Sequence, residues 1–312
     1  MSVARASNQP IPASGNIAAF FDLDGTLLPL PSLERRFAAA LKFRHAIPAG
    51  NYFRWLAQAI RLAPHGIGAI TRTNKMYLHN VSANRQTLLS STGTLVYAEQ
   101  RNPYAGVHHA VGASLIATRN QLPTFFPDAI DRIVWHIECG HAIVLVTGTL
   151  APLANEATLV LTLRLAARGI TTSIAVCATQ LEQANDRWTG RIKGEAMFGA
   201  AKVRAAQRIA TQKGFDLAGC YAYGDSTNDR WMLGAVGRPA AVNPSRELER
   251  IARLRNWPIL RWDESAAPHA GQSAPVAALF GGWSLGETTA KTQRQSTLSG
   301  KRIANIKSES LG

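Results

Sequence analysis

The stretch Ile17–Thr26, read as IAAFFDLDGT, decides the fold. Five apolar residues run without a polar break into Asp22, and a second acid, Asp24, follows just ahead of Gly25. A short continuous apolar run that stops abruptly at a loop is the pattern of a strand buried on both faces of a parallel sheet. Two carboxylates closing such a strand are costly without a task. Asp22 and Asp24 are therefore candidates for chemistry, with a plain turn and helix cap as the structural alternative.

Downstream, the same strand-then-polar pattern returns. HAIVLVT (His141–Thr147) runs into Thr-Gly-Thr, Thr171–Cys177 is a third strand, and Gly219–Tyr223 leads into Gly-Asp-Ser-Thr-Asn-Asp. Val236–Val242 and Pro258–Arg261 read as two further short strands. Helical patterns fall between them at Ala129–Glu138, Leu153–Arg168, Gly199–Lys213 and Ser245–Arg255, and the turn-rich Gln180–Lys193 reads as a β-hairpin. Strands alternating with helices imply an α/β fold with a doubly wound parallel sheet.

Between the first strand and Pro127 the rhythm changes. FAAALKF and YFRWLAQAI are helical in pattern, broken by Pro48 and Gly50, and Ile70–Leu89 reads as a helix or two. This points to a mostly helical cap at residues 32–127, inserted into a core made of 17–31 and 128–262. The aromatics Tyr52, Phe53 and Trp55 are expected to form the cap's interior. Residues 1–16 read as a flexible N-terminus and 263–312, rich in Ala, Gly, Ser, Thr and Gln, as a disordered tail.

The 312 residues carry 34 Lys+Arg against 20 Asp+Glu, a formal charge of +14. Nine of those fourteen net charges lie between Leu33 and Pro127, which holds eleven basic residues against Glu34 and Glu99. Such a segment concentrates anions around it, although many of its arginines also suit ordinary solvated helix positions. The 46% hydrophobic and 17% charged composition excludes collagen, coiled coil and full-length disorder. Three scattered cysteines, Cys139, Cys177 and Cys220, exclude a disulfide scaffold and read as reduced thiols. With no apolar leader and no stretch near the roughly 18 residues of a spanning helix, a cytoplasmic protein without a transmembrane segment is expected. His108–His109 and the pair His136/His141 lack the spacing of a metal motif and read as ordinary histidines.

Ligands of an open parallel sheet bind beyond the carboxyl ends of its strands. Asp22 and Asp24, Thr147 and Gly148, and Asp225 and Asp229 all fall at such ends, and Lys202 starts a helix nearby in sequence. Several carboxylates converging on one edge repel one another unless a cation joins them. Mg²⁺ suits that edge, since it takes few carboxylates, keeps waters and binds phosphate oxygens. Thr147, backbone N–H groups and Lys202 are the natural phosphate partners. This is the equipment of phosphoryl transfer.

These residues resemble the haloacid dehalogenase-like (HAD) phosphohydrolases. FFDLDGTLL, VLVTGT, Lys202 and YGDSTNDRWML match the family's four motifs in order, and AVGRPAAVNPSRELERIARLRNWPIL looks like its phosphoserine-phosphatase-like branch, subfamily IB. The resemblance covers roughly Ile17 to Arg261. It implies a Rossmann-like core with a cap after the first motif. It also implies Asp22 as the nucleophile that forms an aspartyl-phosphate, and Asp24 as the acid and base that lends its carbonyl to Mg²⁺. Thr147, Gly148 and Lys202 would bind the phosphoryl group, Asp225 would join Asp22 and Asp24 around the metal, and Asp229 would support the metal or orient Lys202. An aspartate at position 24 favours a phosphatase over a dehalogenase, because an alcohol leaving group needs a proton and a halide does not.

The expected substrate is a small or lipid-linked phosphate ester: phosphoserine-like, a polyol phosphate, or a lysophospholipid or phosphatidylglycerol phosphate with an anionic headgroup. Nucleic acid is not the expected partner. Glu34 sits a few residues off the spacing at which phosphoserine phosphatases place a glutamate that reads the substrate amine. The competing reading is an anion-binding module, on nucleic acid or a membrane surface, with a vestigial core.

Overall fold

The computed structural model describes residues 16–84, 87 and 125–263. Its six-stranded sheet has the order β3-β2-β1-β6-β7-β8, with every neighbouring pair parallel. The strands are β1 (Ala18–Phe21), β2 (Ala142–Leu150), β3 (Ile174–Thr179), β6 (Tyr221–Gly224), β7 (Arg238–Val242) and β8 (Ile259–Leu260). A separate antiparallel hairpin joins β4 (Leu181–Ala184) to β5 (Arg187–Ile192) through Asn185 and Asp186, both at positive φ as a two-residue hairpin turn requires. The expected doubly wound α/β sheet and the hairpin are both present.

Alternation within β1 builds the two sides of the core. Ala19 and Phe21 face α4 (Pro127–Glu138) and α5 (Ala151–Ala167), packing with Ile130, Ile133, Ala157 and Leu161. Ala18 and Phe20 face α6 (Ala200–Lys213), α7 (Arg230–Leu233) and α8 (Arg246–Leu254), through Ala205, Ala206, Leu233 and Leu248. Both faces of the central strand are thus dry, which is why its sequence is apolar throughout. The register does the rest. Phe21 pairs with Leu145 of β2 and Tyr223 of β6, so the chain segments that follow all three emerge at one level of one edge.

Three helices follow β1: α1 (Leu33–Phe43), α2 (Gly50–Leu62) and α3 (Ile67–Thr73), with 3₁₀ turns at Ala63–His65 and Met76–Leu78. Ser32 caps α1 by accepting from the Arg35 N–H. Of the helix or two expected across Ile70–Leu89, α3 ends at Thr73, a 3₁₀ turn follows at Met76–Leu78, and Thr87 is helical again. From Asn80 the chain instead pairs with the hairpin: the Asn80 N–H donates to Trp188 O at 2.8 Å, and Ser82 bridges Arg187. Tertiary pairing overrides the local helical preference there. The expected aromatic interior is also not found, since Tyr52 and Phe53 are exposed and Trp55 is 38% exposed. The interior comes from α1 instead. Leu33, Phe37 and Leu41 pack with Leu78, Val81 and Trp188, and Phe37 meets the Trp188 ring edge-on at 5.9 Å. The N-terminal stretch, His108–His109 and the C-terminal tail lie outside the described residues, apart from Asn16 and Asp263.

Trp188 joins the hairpin to α1 in the fully buried core. Trp188→Ala is expected to cost about 3–5 kcal/mol in urea unfolding, the usual penalty for emptying a large aromatic site. A loss under about 1 kcal/mol would show that the hairpin is not fastened through this ring.

Candidate active site

Asp22 is the first residue past β1, and its N–H donates to Tyr223 O at 3.0 Å, extending the β1/β6 pairing by one step. Lys202, in the first turn of α6, reaches back to this edge and is only 2% exposed. Its ammonium donates to Asp22 Oδ1 at 2.7 Å and to Asp229 Oδ1 at 2.5 Å. The other oxygen of Asp229 accepts from the Ser226 N–H at 2.9 Å and the Ser226 hydroxyl at 2.8 Å. Asp229 is therefore committed on both sides, which suits a positioning acid. Carboxylate oxygens of Asp22, Asp225 and Asp229 lie within 4.8 Å of one another, the spacing at which three groups can share one cation.

Asp24 turns elsewhere. Its Oδ1 accepts from the Leu33 N–H at 2.8 Å, at the start of α1, and its Oδ2 accepts from the Thr149 hydroxyl. Its carboxylate stands outside the acidic trio, so only its backbone carbonyl is left for the metal role that the resemblance gave it. Gly25 permits the tight turn just after the two acids. It sits at φ +87°, and a Cβ there would lie 2.3 Å from Asp225 Oδ2.

These residues line a cavity of about 210 Å³ together with Leu30, Ser32, Glu34, Thr147, Gly148, Thr149, Phe198, Ser226 and Asn228. All seven sequence candidates thus meet at one edge, with Asp229 bonded to the cavity-lining Lys202 and Ser226. The Thr147 hydroxyl oxygen accepts from the Thr149 N–H at 3.1 Å. Gly148 leaves room for the Phe198 ring, whose nearest atom would lie 2.3 Å from an added Cβ. Sequence reasoning missed Thr149, although the Thr-Gly-Thr run contained it. It also missed Phe198 and Ser226, whose residue types carry no positional signal. Glu34 does reach the cavity despite its offset spacing. Its Oε1 accepts from Lys75 Nζ at 2.6 Å and from the Tyr77 hydroxyl at 3.1 Å.

Electrostatics mark the edge as cation-deficient. Burial is the largest influence on Asp22, and with Asp229 and Asp24 nearby it pushes the pKa up to about 7 against the pull of Lys202. Burial, Asp22 and Asp229 together push Asp225 up to about 9. Burial works against the Lys202 charge, yet Asp22 and Asp229 outweigh it and hold its pKa above the ordinary lysine value. One ammonium among three acids leaves protons where a divalent ion would relieve the same repulsion, so the oxygen-only donor set fits Mg²⁺.

The match to known proteins follows the same residues. The model of the haloacid dehalogenase-like hydrolases matches residues 19–234. The chain belongs to that family. Among its relatives, a phosphoserine phosphatase of Mycobacterium tuberculosis is 28% identical over 268 residues, covering 83% of this chain and 75% of the relative. A probable phosphatase from the same organism is 28% identical over 277 residues, covering 84% and 83%. A protein of unknown function from Bordetella pertussis superimposes with a TM-score of 0.53 at 27% identity, covering 80% of this chain and 99% of that one. Family membership and these relatives make the chain a HAD-type phosphatase. Buried His136 and half-buried His141 are not among the cavity's lining residues: His136 Nε2 is 2.9 Å from the Tyr223 hydroxyl and Nδ1 is 2.9 Å from His141 Nδ1.

The raised acids give a signed pH dependence for the metal-free protein. A carboxyl whose folded pKa lies above its unfolded value of about 3.9 stabilises the fold at low pH and loses that contribution as pH rises through the folded value. Melting temperature without divalent ions is expected to fall between pH 4 and 9, through the Asp22 and Asp225 transitions. Asp225→Asn removes one of these and is expected to flatten the fall, while abolishing the stabilisation that added Mg²⁺ gives the wild type. Parallel curves for the two proteins would show that Asp225 is not the strained acid.

Proposed function

We propose that this phosphatase hydrolyses small phosphomonoesters with Mg²⁺ through an aspartyl-phosphate on Asp22, the segment 32–127 acting as a cap over a core of 17–31 and 128–262. The observation that carries the reading is the placement of Asp22 and Asp24 at one cavity in opposed environments, one against Lys202 and the acidic trio, the other against Thr149 and α1. Asp22, Asp225 and the Asp24 carbonyl would hold the ion. Mg²⁺ supplies charge neutralisation for the phosphoryl oxygens.

The chain's own groups account for the steps. Asp22 uses one carboxylate oxygen to attack phosphorus as the ester P–O bond breaks. Asp24, whose pKa burial raises against the hydrogen bonds from Thr149 and Leu33, gives its proton to the departing alkoxide. An alcohol leaves and Asp22 carries the phosphoryl group. Asp24, now ionised, takes a proton from water, which attacks phosphorus and releases inorganic phosphate and the free Asp22 carboxylate. Lys202, the Thr147 hydroxyl and backbone N–H groups around Gly148 hold the phosphoryl oxygens, and Asp229 keeps Lys202 aimed.

The cavity's volume of about 210 Å³ suits a phosphoryl group with a short polar remainder. Glu34 at its wall has Oε2 without a hydrogen-bond partner among the described residues, so it can accept from an ammonium or hydroxyl on the substrate. Phosphoserine-like and polyol phosphate esters both meet that description. The two phosphatase relatives support the reaction class.

Purified protein is expected to release phosphate from p-nitrophenyl phosphate with Mg²⁺, and Asp22→Asn to lower kcat by at least about 10³-fold with an unchanged circular dichroism spectrum. A fully active Asp22→Asn protein, or a wild type inert toward a broad phosphoester panel, rejects the reading and favours an anion-binding module. Thr149→Val removes a hydrogen bond that lowers the Asp24 pKa. The pKa then rises, and the alkaline limb of the kcat/KM profile, where the acid loses its proton, is expected to move to higher pH. An unmoved limb assigns the leaving-group proton to another residue.

A further inference from the structure

Helix α2 is built inside out. Its inner side carries Asn51 and Ala59 as its buried residues. The Asn51 side-chain amide donates to the carbonyls of Tyr77 at 3.0 Å and His79 at 2.6 Å, while Asn74 donates to the Trp55 carbonyl at 2.8 Å. Amide hydrogen bonds therefore fasten the helix, and its large apolar side chains are left outside. Tyr52, Phe53, Leu56 and Ile60 fall within an arc of about 100° on its outer side. Phe53 is 76% and Ile60 68% exposed, and Ile67 at the start of α3 is 80% exposed. A contiguous outward apolar stripe that no described residue covers marks an interaction surface.

Beside the stripe the chemistry turns basic. Arg54 and Arg61 line a groove of about 720 Å³ between α2 and the β4–β5 hairpin, with Arg191 and His79 on its other walls. Its one acid, Glu182, already accepts from the Thr189 hydroxyl at 2.7 Å. Among the described residues none of the three arginines has a carboxylate partner. Residues 35–84 hold eight Lys and Arg and no acid at all.

We propose that this face docks on an anionic membrane surface, with Phe53, Leu56, Ile60 and Ile67 entering the headgroup boundary and Arg54, Arg61 and Arg191 taking lipid phosphates. A helix with an apolar arc flanked by cations lies in the plane of such an interface. Charge selects the occupant. A second copy would bring the same uncompensated arginines against this face, and the chain's own residues 85–124 carry Arg85, Arg101 and Arg119 against the single acid Glu99. Neither complements the groove, whereas anionic headgroups do. The proposal stands independently of the catalytic reading.

Co-sedimentation of the full chain with vesicles tests it. Binding to phosphatidylcholine containing roughly 30 mol% phosphatidylglycerol is expected to exceed binding to pure phosphatidylcholine by at least about tenfold, and to weaken as salt rises. The triple variant Phe53→Ser, Leu56→Ser, Ile60→Ser and the double variant Arg54→Gln, Arg61→Gln should each lose about tenfold in partitioning, with unchanged circular dichroism. Lys213→Gln, a charge removed from exposed α6, should bind like wild type. Absent binding, or an equal loss in Lys213→Gln, overturns the proposal. So does a dimer in light scattering that the triple variant dissolves, which makes a second copy the occupant. Weak acrylamide quenching of a Phe53→Trp fluorophore in the vesicle-free monomer overturns it as well, because the chain then covers its own stripe.

Discussion

The ammonium of Lys202, buried between Asp22 and Asp229, is the contact on which the sheet edge depends. Three acids cannot stand within 4.8 Å of one another in a dry edge without positive charge among them. One lysine compensates part of that charge and aligns two of the three acids along the same face. Pairs of this kind add little net stability against an apolar replacement, but removing one partner leaves an uncompensated buried charge. What the lysine provides is therefore orientation. The remaining negative charge, visible in the raised Asp22 and Asp225, is the incompleteness that a cation and an anionic substrate would resolve together under the proposed function.

Two acids separated by one residue receive different environments through elementary geometry. Asp22 still follows the pairing of β1 with β6, whereas Gly25 at positive φ turns the chain so that Asp24 meets α1 and the end of β2. Environment, not residue type, then distinguishes the two acids: one carboxylate faces an ammonium, and the other is buried among neutral donors, the division of tasks that the proposed function needs. The sheet makes this division rigid, because the register that pairs Phe21 with Leu145 and Tyr223 also fixes where both acids emerge.

The core was legible in the sequence because its rule is local. Apolar runs such as IAAFF and AIVLV that stop at polar residues have the pattern of strands buried on both faces, and in a parallel sheet their ends share an edge. Asp22, Asp24, Thr147, Gly148, Asp225 and Asp229 stood out by lying at such ends, whereas Lys202, at a helix start, was picked out by its nearness in sequence and by the family resemblance. Thr149, Phe198 and Ser226 did not stand out, because their contribution is a side-chain direction set by contacts far away in sequence. Glu34 was discounted for its spacing, yet Lys75 and Tyr77 draw it to the cavity wall from α1. The helices that follow β1 were read least well. Residues 79–84 pair with the hairpin instead of continuing a helix, and the aromatics of α2 point outward instead of inward.

That last inversion has a physical origin. A helix placed by apolar burial must turn its large side chains inward, and this is the assumption behind any reading of amphipathic pattern. Asn51 and Asn74 release α2 from it, since three side-chain amide bonds to carbonyls fix its position with only Asn51 and Ala59 fully buried beneath it. The buried amides are satisfied, so the arrangement carries no desolvation penalty that the exposed apolar arc would have to offset. Polar fastening thus separates where the helix sits from what its surface presents. The acidic edge can then be held by the sheet while the helices that follow β1 present a different chemistry to their surroundings.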